Sequence, residues 1–257
     1  MQDSAEKGEV EEVKDILRNN PGVNVNQRNE YGFCALNLAC TFGHVSIVSL
    51  LLAHPGIDVN LKNASGWTPF LTTCSSGTTP CARLLLRDSR VKVNEAGNDG
   101  YTPLWWAAFF GHLAIIKWWI ASGRDLDLGM APGNAATTEA KGPAKKRRIM
   151  KVTPLLERFR ENPRDTRHVV RIELGFYDDV AAEMFALVVF VSDGLLRVGE
   201  SADPTPPATS RFFSIASRLP LELQMVLCYR LVESGKEILP GKDSEVAFKE
   251  LAKKFLV

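Results

Sequence analysis

The sequence contains no Cys-x-x-Cys pair, and its cysteines number five: Cys34, Cys40, Cys74, Cys81 and Cys228. An odd count without paired spacing speaks against a disulfide framework and against a zinc site, and it fits a reducing compartment. An excess of one charge is also missing. Lys and Arg total 31 against 30 Asp and Glu, for a net charge of +1, so no whole-molecule field draws the chain to nucleic acid or to a membrane. Long apolar runs are absent too. The longest, Met184–Val191, has eight residues, where a bilayer span needs about 20, and it reads as a buried helix. The opening Met1-Gln2-Asp3-Ser4-Ala5-Glu6 is polar and acidic and does not read as a signal peptide. No Gly-x-Ser-x-Gly elbow, phosphate loop or His-Glu-x-x-His motif occurs. An enzyme would have to rest on Cys228, Asp243 or His168, which form no triad-like motif. The expectation is therefore no enzyme, no catalytic residue, no metal ligand and no cofactor.

What the sequence does contain is a period. Gly32, Gly66 and Gly100 stand 34 residues apart, and so do Asn26, Asn60 and Asn94; Ala35, Pro69 and Pro103; Gly43, Gly77 and Gly111; and Leu52, Leu86 and Ile120. Each unit has readable physics. Thr68-Pro69 and Thr102-Pro103 place a hydroxyl at a helix N-cap and proline at the first helical position, where its missing N–H costs nothing. A short helix such as Pro103–Phe110 follows, Gly111-His112 turns the chain, and a second helix such as Leu113–Ala121 carries Leu113, Ile116 and Ile120 on one face. Polar segments such as Asp58-Val59-Asn60 lead to the next glycine as a turn or hairpin would.

The stretch Gly100-Tyr101-Thr102-Pro103-Leu104-Trp105-Trp106-Ala107-Ala108-Phe109-Phe110-Gly111-His112 resembles the ankyrin repeat pattern Gly-x-Thr-Pro-Leu-His-x-Ala-Ala-x-x-Gly-His. The second unit keeps Gly32, Leu36, Ala39, Gly43 and His44, the third keeps Gly66, Thr68, Pro69 and Gly77, and an incomplete first unit remains in Gly8–Leu17. The resemblance implies an all-α ankyrin-repeat solenoid with a C-terminal helical region. Asn37, Leu71 and Trp105 stand where the family has histidine. The usual histidine–threonine contacts are lost there, and apolar packing must replace them, at least for Leu71 and Trp105.

Three regions are expected: residues 1–128 as ankyrin repeats (an incomplete unit plus three of 34 residues), 129–163 as a loop and degenerate fifth repeat, and 164–257 as a helical C-terminal region. Thr153-Pro154 could alternatively start a helix outright. Asp178–Val191 is apolar almost all round and should be buried. Ser201–Ser210 holds three prolines and reads as a loop. Phe212, Ile215, Ala216 and Leu219 make a helical stripe, Pro220–Ser234 reads as another helix, and Asp243-Ser244 can cap a last one through Phe255. One job for 164–257 is to cover the apolar end of the array, since terminal repeats need capping.

Ankyrin arrays bind through loop tips and exposed positions of the first helices, which form a concave face. Mapped residue by residue, the resemblance implies a protein-binding site at Tyr31, Phe42, Trp67, Tyr101, Trp106, Phe109 and Phe110, with Phe33 and Leu38 also at variable positions. Large aromatics there suit an interface, and packing against the C-terminal region is the competing reading. Trp118 and Trp119 replace core leucines and are expected in the core. His44 and His112 belong to the Gly-His turn and are read as structural. Lys145, Lys146, Arg147 and Arg148 are a candidate nuclear import signal; the alternative is a solvated turn between two helices of the fifth repeat.

The function that follows is a non-catalytic interaction scaffold whose partner is another protein, in the cytoplasm with entry to the nucleus if the basic run works as a signal. No small-molecule substrate, membrane or nucleic acid is expected. One alternative is open. Leu219-Pro220-Leu221-Glu222-Leu223 through Leu231 resembles the start of an F-box, which implies a substrate adaptor of a ubiquitin ligase docking on a Skp-type subunit. The same residues also fit an ordinary capping helix, with Pro220 at its first turn and Leu223, Val226, Leu227 and Leu231 as its apolar stripe.

Overall fold

The computed structural model describes residues 1–128 and 143–192, together with positions 216, 224, 227 and 228. Among these residues every regular element is a helix, and the sole strand-like pairing is an isolated bridge between Arg28 and Cys34. The chain divides into two compact units, Met1–Val170 and Arg171–Val257. The first contains α1 (Gln2–Lys7), α2 (Val10–Asn19), α3 (Ala35–Phe42), α4 (Val45–Ala53), α5 (Pro69–Ser76), α6 (Thr79–Arg87), α7 (Pro103–Phe110), α8 (Leu113–Ser122) and α9 (Pro143–Glu161). Helix α10 (Pro163–Glu173) crosses the division, and α11 (Phe176–Ser192) lies in the second unit.

The helices pair and the pairs stack. First helices pack in the order α1, α3, α5, α7, and second helices in the order α2, α4, α6, α8. The local signals work as their chemistry requires. Leu71 N–H donates to Thr68 Oγ1 at 3.2 Å and Trp105 N–H donates to Thr102 Oγ1 at 3.3 Å, closing two N-caps just ahead of proline. In the second repeat Cys34 holds the cap position and Asn37 reaches back: its Oδ1 accepts from Cys34 N–H at 3.4 Å and from the Cys34 thiol at 3.0 Å. The first helices end at Gly43, Gly77 and Gly111, with φ of 78°, 80° and 75°. That left-handed backbone strains any side chain, so glycine is the residue that can close the turn.

Two ladders tie neighbouring repeats together. His44 Nε2 donates to the Glu6 carbonyl at 2.8 Å, Thr78 Oγ1 to the Cys40 carbonyl at 2.8 Å, and His112 Nε2 to the Ser75 carbonyl at 3.2 Å. Each turn residue thus satisfies a carbonyl near the end of the preceding first helix, a group left without an intrahelical partner. The structural reading of the Gly-His turn acquires a mechanism, and threonine performs it in the third unit. The asparagine column is the second ladder. Asn60 Nδ2 donates to the Arg90 carbonyl at 2.9 Å while its Oδ1 accepts from Lys92 N–H at 2.7 Å. Asn26 does the same to Gly56 and Asp58, and Asn94 to Asp125 and Asp127.

Several expectations change. The first unit is not short of a helix: α1 and α2 form a full pair around Gly8, whose φ of 80° matches the later turns. Residues 143–161 form one helix of 19 residues, where a fifth repeat would have two shorter ones. Thr153-Pro154 therefore lies inside a helix and starts none. Helix α9 packs on α7, as the first helix of another unit would. Its apolar residues Ile149, Val152, Leu156 and Phe159 are buried, so α7 is covered from upstream of the 164–257 region expected to cap it.

The repeat core includes Phe70 and Trp119, both fully buried and packed edge to face at 4.9 Å, with Trp119 Nε1 donating to the Asp125 carbonyl at 3.0 Å. Trp118 is not core. It is half-buried, and the Arg83 guanidinium lies 3.8 Å from its ring centre. In the second unit α11 buries Ala181, Ala182, Phe185, Ala186 and Val188, in keeping with its continuous apolar sequence. The loop at 201–210 and the helices read at 212–219, 220–234 and 243–255 lie outside the described residues, apart from Ala216, Gln224 and Cys228, which are buried, and Leu227, which is half-buried.

Candidate protein-binding face

The first helices set out three rows of side chains across the stack: Leu38, Thr72 and Trp106; Thr41, Ser75 and Phe109; Phe42, Ser76 and Phe110. In each row the third unit supplies a small polar residue between larger neighbours. Five of the seven expected binding residues come together at the fourth unit. Trp67 and Trp106 lie 5.0 Å apart between ring centres, Trp106 stacks on Phe110 at 5.7 Å, and Phe109 meets Phe110 edge-on at 5.2 Å. Tyr101 stacks on Trp105 at 4.0 Å and Trp105 on Phe109 at 4.7 Å. Trp67, Tyr101, Trp106, Phe109 and Phe110 are all half-buried, so each ring both packs and shows a surface. Trp105 is 3 % exposed and is the buried floor of the cluster, against Ile149 of α9.

Tyr31 and Phe42 stand apart from this group. They are 67 % and 52 % exposed, and Phe42 stacks on His44 at 6.3 Å. Leu38 does not belong to the surface: it is buried. Phe33 is half-buried. The competing reading named the C-terminal region; the packing seen is instead with α9, since Tyr101, Trp106 and Phe109 pack on the Trp105–Ile149 pair.

One residue that sequence reasoning missed positions the cluster. Gly97 falls in the column of Asn29 and Asn63. Those asparagines order their loops: Asn63 Oδ1 accepts from Ser65 N–H at 3.0 Å and Trp67 N–H at 2.9 Å, and Asn29 serves Tyr31 and Phe33 likewise. At Gly97 that side chain is gone, and Asp99 Oδ1 takes the Tyr101 N–H at 3.0 Å. A Cβ on Gly97 would fall 2.7 Å from Trp67 Cδ1 and 2.9 Å from its Nε1, so glycine makes room for the indole that bridges two repeats. A break in the asparagine column was the available signal.

The histidines of the turns are occupied by carbonyls, as above. Burial pushes the thiols up: Cys81 to about 11, with Cys34, Cys40 and Cys74 also raised. They are neutral at pH 7 and poor nucleophiles. No three His, Cys, Asp or Glu residues come together to hold a metal among the described residues, and no described helix is long and apolar enough to cross a membrane. Lys145, Lys146, Arg147 and Arg148 lie in the first turns of α9, not in a turn between helices. The F-box-like segment lies outside the described residues except for Gln224, Leu227 and Cys228.

Stacked helix pairs joined by glycine-closed turns define the class: a helical repeat solenoid. Family models described as ankyrin repeats match residues 16–70 (many copies) and residues 55–129 (three copies). The N-terminal part of the chain is an ankyrin-repeat array. No curated protein matches the chain. Ankyrin repeats generally mediate protein–protein interaction and are typically non-catalytic.

Proposed function

We propose that the protein is a non-catalytic scaffold that holds another protein on the concave face of its array, centred on Trp67, Tyr101, Trp106, Phe109 and Phe110. The observation that carries this reading is the run of half-exposed rings across the third and fourth units, beside the small Ser75 and Ser76. Aromatic side chains present large apolar area with few rotors to freeze, which is why they dominate binding hot spots. A partner segment crossing the third unit would find small side chains beneath it and aromatic walls beside it. Free cysteines support work in a reducing compartment such as the cytoplasm or nucleus.

Affinity capture from cell extract with the full chain, followed by mass spectrometry, names the partner. Trp106→Asp and Phe110→Asp should then weaken binding of that purified partner by more than about tenfold, with helical circular dichroism showing that the array is still folded. Equal binding by both variants overturns the reading. Capture of a Skp-type subunit, lost on Leu223→Asp and kept on Trp106→Asp, would favour the ligase-adaptor alternative instead.

A further inference from the structure

An aromatic column joins the cluster to the second repeat. Phe33, Trp67 and Tyr101 stand 34 residues apart, each between a glycine (Gly32, Gly66, Gly100) and the cap of a first helix (Cys34, Thr68, Thr102). The three glycines have φ of 78°, 76° and 78°, so the loops turn alike, and all three rings are half-buried. Neighbouring loops touch: Asn98 N–H donates to the Ser65 carbonyl at 3.0 Å, and a Cβ on Gly32 would meet the Ala64 nitrogen at 2.8 Å. The column is one part-exposed ring per repeat, at the step of packed helices, about 8–10 Å. The helices beside it are uncharged. Although 24 % of the chain's residues carry charge, α3, α5 and α7 contain no Asp, Glu, Lys, Arg or His. In the loops no sign prevails: Lys62 pairs with Glu95 at 3.0 Å, exposed Arg28 lies two residues from exposed Glu30, and Asp99 is occupied by Tyr101 N–H. The indole N–H of Trp67 has no acceptor among the described residues.

We infer that this column docks an uncharged, proline-rich segment of the protein partner, held as a polyproline II helix. The inference rests on the scaffold reading above and names the chemistry of what the scaffold holds. Charge complementarity selects against acidic, basic and phosphorylated segments, because nothing on the three helices answers a charge. The step selects the conformation. A polyproline II helix has three residues per turn and rises about 3.1 Å per residue, so equivalent side chains recur about every 9.3 Å, once per repeat. An α-helix presents every seventh residue at a similar step, about 10.5 Å, but it satisfies its own carbonyls. Polyproline II leaves its carbonyls bare, and Trp67 Nε1 offers one of them a donor. Proline rings also seat against aromatic side chains and arrive with little conformational freedom left to lose.

The test uses the full-length protein and a fluorescein-labelled peptide of Pro-Pro-Leu repeats, read by anisotropy. About 12 residues suffice to cross the three rings at about 3.1 Å per residue. Binding should saturate and change little with salt, since no charge is screened. Phe33→Ala and Trp67→Ala should each lower affinity at least about fivefold. Trp67→Phe, which keeps a ring and removes the donor, should lower it about threefold. Circular dichroism checks folding, and if Trp67→Ala loses helical signal the other two variants carry the test. Failure of the peptide to bind, while the captured partner still depends on Trp106 and Phe110, would overturn this inference and leave the scaffold reading standing. Peptide binding undiminished in folded Phe33→Ala and Trp67→Phe, or tighter binding of a Leu-rich helical peptide or of a Glu-rich or Lys-rich one, would overturn it as well.

Discussion

The second and fourth repeats share a backbone and differ in what fills it. Both run from a capped first helix through a left-handed glycine to a second helix, and both send an N-terminal turn residue, His44 or His112, back to the preceding unit. Yet Asn37 in one is Trp105 in the other, buried Leu38 is half-exposed Trp106, and Thr41-Phe42 is Phe109-Phe110. The repeat frame is held by a few turn and ladder residues. The positions on the first helices are free of that duty and can be given over to packing or to a partner. The second repeat uses them for polar capping, and the fourth for an aromatic cluster shared between α9 and solvent.

The comparison breaks most sharply at its buried position. Trp105→Ala removes the floor of the cluster and should cost about 3–5 kcal/mol in urea unfolding. Asn37→Leu should cost far less, because the Nδ2 of that buried amide has no partner among the described residues. The ladder gives the next largest effect. Asn60→Ala should destabilise by about 1–2 kcal/mol through two lost hydrogen bonds. Asn94→Ala should cost about as much, since its ladder bonds of 3.3 and 3.2 Å are longer than those of Asn60 but its Nδ2 also donates to Asp125 Oδ2 at 3.1 Å.

Alkaline pH separates the repeats differently. The second and third hold four buried thiols, and the fourth holds none. An unfolded thiol ionises near about 8.5, whereas burial lifts Cys81 to about 11. Between these values the native state binds more protons than the unfolded one. The stabilisation is complete below about pH 8.5 and is lost as pH climbs toward 11. Denaturant midpoints should fall across that range, and Cys81→Ala should flatten the fall. The smallest effect concerns Gly97. Gly97→Ala should shift the near-ultraviolet circular dichroism of the Trp67–Trp106 pair while moving the melting temperature little. An unchanged spectrum would mean that the indole has room to spare.

Sequence alone was enough for the array. A fixed step of 34 residues, Thr-Pro starts and glycine stops are local devices, and each acts within a few residues of itself, so their outcome can be read before anything packs. Five of the seven expected face residues gathered into one cluster because four of them lie on one loop and helix, Tyr101 to Phe110, and the stacking of the repeats sets Trp67 against Trp106. The rest depended on neighbours distant in the chain. Leu38, expected at the surface, is buried, and Trp118, expected in the core, is half-buried, because side chains distant in the chain decide what is covered. The use of the asparagine column as a clamp was invisible because each bond spans some 30 residues. Helix α9 shows the same limit from the other side. Its composition marks it as basic and amphipathic, but the packing of Ile149 against Trp105 is what turns it into the cover of the last repeat and leaves Lys151 and Arg158 exposed. Local chemistry determined the repeats, and contacts between elements far apart in sequence decided which of their surfaces remain open.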